Sequence, residues 1–347
     1  MLFPPRVSCV ARRVRFVSIL DRCEIDTWNH LSNQAEFYCR HQDQWDLAMA
    51  LAPMQEEGRL ESKLVSSVGA VRAGGGKLVI SVQGRNVETA VIVSKRQTIC
   101  VSSQHGCSMA CRFCDTGLNS QGSNLPSWAI LEQILHAQAW LQRDSLKAKS
   151  NIVFMGMGEP LLNYRNVLRA AKLLCASGHK TTISTVGVAP RIKSLARDAP
   201  RDLSLALSLH AATQSLREQL VPVAKRWPLD ELLEAVRHFE EVTGSGVLMQ
   251  YILIKGVNDS EQQALQLAEL VSTTRCAGIN IIPYNPTAAG AKHSYRVPSD
   301  SGCKQFRDTL RRAGASNVTI RFSTKLGREW ASACGQLGLG ARRNILQ

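Results

Sequence analysis

The feature that most constrains this chain is a beat of short apolar runs from residue 98 to residue 322. They are "TICVS" (98–102), "NIVFM" (151–155), "TTISTV" (181–186), "LSLALSL" (203–209), "VLMQYILI" (247–254), "GINIIP" (278–283) and "VTIRF" (318–322). Each is short, rich in β-branched residues and nearly continuous in apolar character, as strands covered on both faces must be. Helical periodicity lies between them. In "LDELLEAVRHFEEV" (229–242), Leu229, Leu232, Leu233, Val236, Phe239 and Val242 share one face, opposite the acids and Arg237. Repeated strand–helix units predict an α/β fold with a parallel sheet, open or closed into a barrel. In a barrel, functional residues belong on the loops at the C-terminal ends of the strands. Residues 1–95 read differently: a helical, poorly patterned start, then a β-hairpin in "KLVISVQGRNVETAVIV" around "QGRN".

Charge and cysteine usage narrow the function. Lys and Arg total 42 against 28 Asp and Glu, a net charge of +14 that suits a polyanionic partner such as RNA or DNA. No apolar run is long enough to span a bilayer, so a membrane role is not expected. The eleven cysteines are odd in number and follow no secretory segment, which favours reduced thiols in a cytosolic setting over paired disulfides. The start, "MLFPPRVSCVARRVRFVSIL", has four arginines and no acid before Asp21, a composition shared by organelle transit peptides and loose basic extensions.

Three cysteines crowd the loop after the first barrel strand: Cys107, Cys111 and Cys114, in "QHGCSMACRFC". Structural zinc takes four closed ligands, usually in two separated pairs. Here there is no second pair, and His105 is too close to complete a relaxed tetrahedron. Three thiolates on an iron–sulfur cubane leave one iron open. An open iron can chelate the amino and carboxylate groups of S-adenosylmethionine (SAM) and pass an electron into its sulfonium.

This Cys-x3-Cys-x2-Cys pattern after a first barrel strand resembles the radical-SAM superfamily. Seven ordered blocks resemble its RlmN/Cfr branch, RNA methyltransferases acting at adenosine C2 or C8: "CVSSQHGCSMACRFC", "MGMGEPLLNY", "ISTVGVAP", "SLHA", "GVNDS", "IPYNP" and "ACGQLG". The resemblance implies a partial (β/α)6 barrel over 96–325, a small N-terminal accessory domain over 1–95, and a C-terminal tail over 326–347. It implies a 4Fe-4S cluster on Cys107, Cys111 and Cys114, and two SAM molecules per turnover. SAM would be bound by Gly158, Glu159, Ser184, Ser208, Leu209, His210 and Asn285. Cys334 matches the position that carries a methyl group as S-methylcysteine, because an electron-poor sp² ring carbon cannot attack a sulfonium methyl directly. Cys100 matches the residue that resolves the protein–RNA adduct through a transient disulfide with Cys334. Glu88 matches a carboxylate assigned as proton acceptor, and the residues themselves leave that duty open between Glu88 and Cys100.

The same resemblance implies ribosomal RNA or tRNA as substrate, an electron donor such as flavodoxin or ferredoxin, and a monomer in the cytoplasm. Two alternatives stay open on the sequence: a radical-SAM enzyme with another substrate, and a non-catalytic, zinc-stabilised RNA-binding protein. The chain also departs from the branch. Its first fifty-odd residues show little of the usual RNA-binding pattern, Asp115 stands where a small residue is usual, and Leu326 precedes Gly327 where one branch has arginine, with Arg328-Glu329 following where both branches have acids.

Overall fold

The computed structural model describes residues 62–94, 97–119, 122–142, 150–323 and 325–338. The chain divides into Met1–Arg59 and Leu60–Gln347, and every described residue belongs to the second. The arginine-rich start, the expected helical segment before residue 62, Cys9, Cys23, Cys39 and "ARR" (341–343) lie outside the described residues.

One ten-stranded sheet runs in chain order. Its first four strands, β1 (Lys63–Ala70), β2 (Gly75–Val82), β3 (Arg85–Val93) and β4 (Gln97–Cys100), pair antiparallel. From β4 onward every pairing is parallel, through β5 (Asn151–Phe154), β6 (Thr181–Thr185), β7 (Leu203–Ser208), β8 (Leu248–Leu253), β9 (Gly278–Pro283) and β10 (Val318–Ile320). All seven strands expected from the apolar runs are present within a residue or two.

Parallel neighbours need long crossovers, and helices supply them. They are α1 (Ser127–Gln142), α2 (Tyr164–Ala176), α3 (Ala189–Asp198), α4 (Gln214–Leu220), α5 (Leu229–Thr243), α6 (Glu261–Ser272), α7 (Ala288–Ala291) and α8 (Asp300–Arg312), while α9 (Lys325–Glu329) follows the last strand. In α5, Leu229, Leu232, Leu233, Val236 and Phe239 are buried as the periodicity requires. Val242 departs from its expected face and is 50% exposed, two residues before the left-handed Gly244 cap that ends the helix.

The hairpin turns at Gln83 and Gly84, both left-handed (φ 51° and 74°), the geometry that two-residue hairpin loops prefer. Strand β1 was absent from the sequence reading. Its residues are mostly exposed at the sheet's edge, so it carries neither an apolar run nor clean alternation. The consequence for the site is directional. With β4–β10 parallel, the loops holding the expected motifs leave one end of the sheet together.

Candidate active site

The loop after β4 brings Cys107, Cys111 and Cys114 to the wall of one cavity. Backbone bonds fix the loop locally: Cys107 N donates to Asn119 O (3.0 Å), Cys114 N to Cys111 O (3.1 Å) and Arg112 N to Leu220 O (3.0 Å). Ala110 takes a left-handed φ of 51°, turning the chain between the first and second thiols. Asp115, the departure noted above, is buried, and its Oδ1 accepts from Ala289 N at 2.9 Å. The unusual carboxylate therefore ties the cysteine loop to α7.

Burial pushes all three thiols up, Cys107 to about 12; Cys114 adds to the effect on Cys107, Cys107 and Cys114 add to that on Cys111, and Asp115 adds to that on Cys114. Such thiols release protons only to a strongly cationic partner. Among the described residues, no three His, Cys, Asp or Glu side chains converge as a single-ion site. The three thiols nonetheless share one wall, a donor set suited to a larger iron–sulfur group.

Across the cavity lie Gly158, Glu159, Ser184, Ser208 and His210, at or just past the ends of β5, β6 and β7. Glu159 is buried; its Oε1 accepts from Leu161 N and its Oε2 from Val186 N, both at 2.9 Å. Burial raises its carboxyl despite those bonds. Gly158 has φ +100°, and a Cβ there would lie 2.6 Å from Gln104 Cβ, so the glycine is required by packing on Gln104. Ser184 and Ser208 sit side by side, Oγ to Oγ 3.4 Å.

His210 is held to about 3 by burial and by the Arg217 guanidinium, so its ring is neutral. Its Nδ1 accepts from Ile252 N (3.0 Å), which leaves the proton on Nε2. The expected ligands Leu209 and Asn285 do not line the cavity. Leu209 is fully buried and donates its amide to Gln250 O, while Asn285 Nδ2 donates to Cys334 O at 3.3 Å.

A second cavity, of about 520 Å³, abuts the first. Cys100 and Cys334 both line it, and Cys114, Thr116, Met155, Gly156, Cys334 and Gly335 line both spaces. Its lining is apolar apart from a few hydroxyls and thiols, with Trp330 on one wall and, among the described residues, Arg321 as the sole charged side chain. Burial lifts Cys100 to about 12, assisted by Cys334 and opposed by Arg321. Cys334 is raised by burial and lowered by Arg321. Glu88 lines neither cavity.

Two residues of the site escaped the sequence reading. Gln250 lines the first cavity, and a lone amide inside the apolar run "LMQYIL" was the available signal. Arg217 is 1% exposed and donates to Leu209 O (3.2 Å) and to Val186 O, bracing two strand ends. Nothing in its helix marked it out from surface arginines.

The Radical SAM superfamily model matches residues 101–268. The protein named probable dual-specificity RNA methyltransferase RlmN of Frankia casuarinae is 43% identical over 270 residues, 74% of this chain and 62% of that protein. The like-named protein of Mycolicibacterium vanbaalenii is 40% identical over 268 residues, 74% of this chain and 72% of its own. A crystal structure of a radical SAM methyltransferase from Sphaerobacter thermophilus matches with TM-score 0.74 at 35% identity, covering 83% of this chain and 84% of that one. The matched stretch thus spans about three-fifths of the Frankia relative (62%) and most of the solved structure (84%).

Proposed function

The chain belongs to the RlmN family of the radical SAM superfamily, and on that premise we propose that it methylates an adenosine ring carbon, C2 or C8, in ribosomal RNA or tRNA. The observation that carries this reading is the position of Cys334 at the junction of the two cavities. A residue there can take a group from a molecule in the first space and deliver it in the second.

Cys107, Cys111 and Cys114 would hold a 4Fe-4S cluster, and Gly158, Glu159, Ser184, Ser208 and His210 would bind SAM. When bound, the cluster and two SAM molecules supply one methyl group and one hydrogen-abstracting radical. Glu159 accepts from the cofactor's amino group, and the neutral His210 offers its Nε2 proton as a donor. Leu209 and Asn285 serve the site through their backbone and amide bonds.

Cys334 carries the methyl group as a thioether and becomes bonded through that carbon to the base. Cys100 first takes the ring proton, since it shares the second cavity with Cys334. It then attacks the Cys334 sulfur, forming the S–S bond as the bond from that sulfur to the transferred carbon breaks, and its proton passes to the freed carbon to complete the methyl group on the released ring. The apolar walls and Trp330 suit a purine removed from its stack. Reduced flavodoxin or ferredoxin would supply electrons to a monomer in the cytoplasm.

The experiment is anaerobic reconstitution of the protein with iron, sulfide and SAM, incubation with ribosomal RNA or tRNA, and nucleoside mass spectrometry. A new 2-methyladenosine or 8-methyladenosine supports the reading; neither product in either RNA refutes the substrate.

A further inference from the structure

The carboxylate of Glu88 is fully engaged away from both cavities. It lies on β3 at 3% exposure. Its Oε1 accepts from Lys77 Nζ at 2.7 Å, and its Oε2 accepts from the backbone N–H of Gly338 at 2.7 Å. Its backbone is committed too: Glu88 N donates to Met157 Sδ (3.4 Å), and Glu88 O accepts from Ser102 Oγ. Lys77 reaches it by register, since β2 pairs Val79 with Glu88 and Lys77 with Ala90, making Lys77 the diagonal neighbour on the same face.

Gly338 is four residues beyond Cys334. The other ties on this segment come from the barrel end: Asn285 to Cys334 O, Asp115 N to Gly335 O (2.8 Å), Thr116 Oγ1 to Leu337 O and Gln336 Nε2 to Pro286 O (2.9 Å). Among the hydrogen bonds of the described residues, only that to Glu88 reaches it from the antiparallel hairpin, and only that one has a charged acceptor. A charge-assisted bond to a backbone amide is about twice as strong as a neutral one. Lys77 is what makes the buried carboxylate bearable, because an uncompensated buried charge is strongly destabilising.

We propose that Lys77 and Glu88 form a buried latch that captures the Gly338 amide and so positions Cys334 between the two cavities. In this role Glu88 is a positioning residue that touches neither cofactor nor base. The proposal rests on Cys334 being the methyl carrier, and its test therefore includes a readout independent of methyl transfer.

Amide hydrogen exchange of residues 334–338 is measured in the reconstituted full chain, alongside methylation of RNA. Glu88→Ala removes both bonds and is expected to speed exchange of this segment roughly 10- to 100-fold, as loss of a buried charged hydrogen bond implies. Methyl transfer falls with it. Lys77→Met is read as well, in case Glu88→Ala does not fold, and also accelerates exchange. The double variant Lys77→Met/Glu88→Gln keeps a neutral carbonyl acceptor for Gly338 but no base. It is expected to hold exchange within roughly threefold of the parent and to recover methyl transfer.

Unchanged exchange in Glu88→Ala and Lys77→Met overturns the latch. A double variant with a protected tail and no methyl transfer overturns it in favour of Glu88 as proton acceptor. If even the parent methylates no RNA, the substrate reading fails alone and the exchange data still decide the latch.

Discussion

The side-chain amide of Asn285 donates to the carbonyl oxygen of Cys334 at 3.3 Å, and Asn285 itself does not line the first cavity. An asparagine resembling a cofactor ligand thus holds the backbone of the proposed methyl carrier. Asn285→Ala is expected to slow methyl loading of Cys334 roughly 5- to 10-fold, the worth of about one hydrogen bond. SAM affinity should change less than about threefold. Intact-protein mass spectrometry and equilibrium binding of SAM check the two halves.

The three loop cysteines and Cys334 should separate cleanly in iron content. Cys107→Ala, Cys111→Ala and Cys114→Ala each remove one thiol from the shared wall and are expected to lose the brown colour and the bound iron. Cys334→Ala should keep both, while losing all methyl transfer. Iron and sulfide assays on anaerobically reconstituted protein decide it, and a colourless parent holding zinc would support the zinc-stabilised alternative.

Glu159 has a structural duty besides its place in the cavity. Glu159→Ala strands the N–H groups of Leu161 and Val186, both satisfied by its carboxylate. The expected cost is about 2–5 kcal/mol of stability, read as a lowered Tm, together with lost SAM binding. Glu159→Gln leaves one acceptor oxygen and should be milder in stability but still poor in binding, since its amide is a weaker acceptor for an ammonium group.

Arg321 sets a pH dependence. Burial lifts the Cys334 thiol and Arg321 pulls it down, so the reactive thiolate grows as pH rises, and the arginine enlarges its share at any given pH. Alkylation of Cys334 should therefore accelerate with pH, and Arg321→Ala should move the whole profile to higher pH. At pH 8 the variant is expected to be roughly threefold slower, less so in high salt, because Arg321 is exposed. Arg321→Lys keeps the charge and should restore most of the rate. A profile unmoved by Arg321→Ala counts against this.

The parallel strands were legible because Ile152, Ile183, Leu205 and Ile279 are fully covered on one face, the other face is at least half-buried, and such cover writes itself as an apolar run. The hairpin was legible through its glycine turn. Strand β1 was not, because a mostly exposed edge strand has little to bury. Within the site, spacing identified the cysteine loop, while contacts made through register or backbone left no trace. Lys77 meets Glu88 only because β2 and β3 pair as they do. Arg217 reads as a surface cation until α4 folds its guanidinium under the ends of β6 and β7. Asp115, a mere departure in the sequence, acquires a reason from Ala289 N.

The central claim is that Cys334 becomes covalently bonded to RNA and that Cys100 releases it. The most direct measurement is mass spectrometry of nuclease- and protease-digested Cys100→Ala protein after turnover with SAM and RNA. The account predicts a peptide containing Cys334 that carries a nucleotide through one added carbon, absent from the parent and from Cys334→Ala. A Cys100→Ala protein free of RNA on Cys334, yet still turning over, would contradict it.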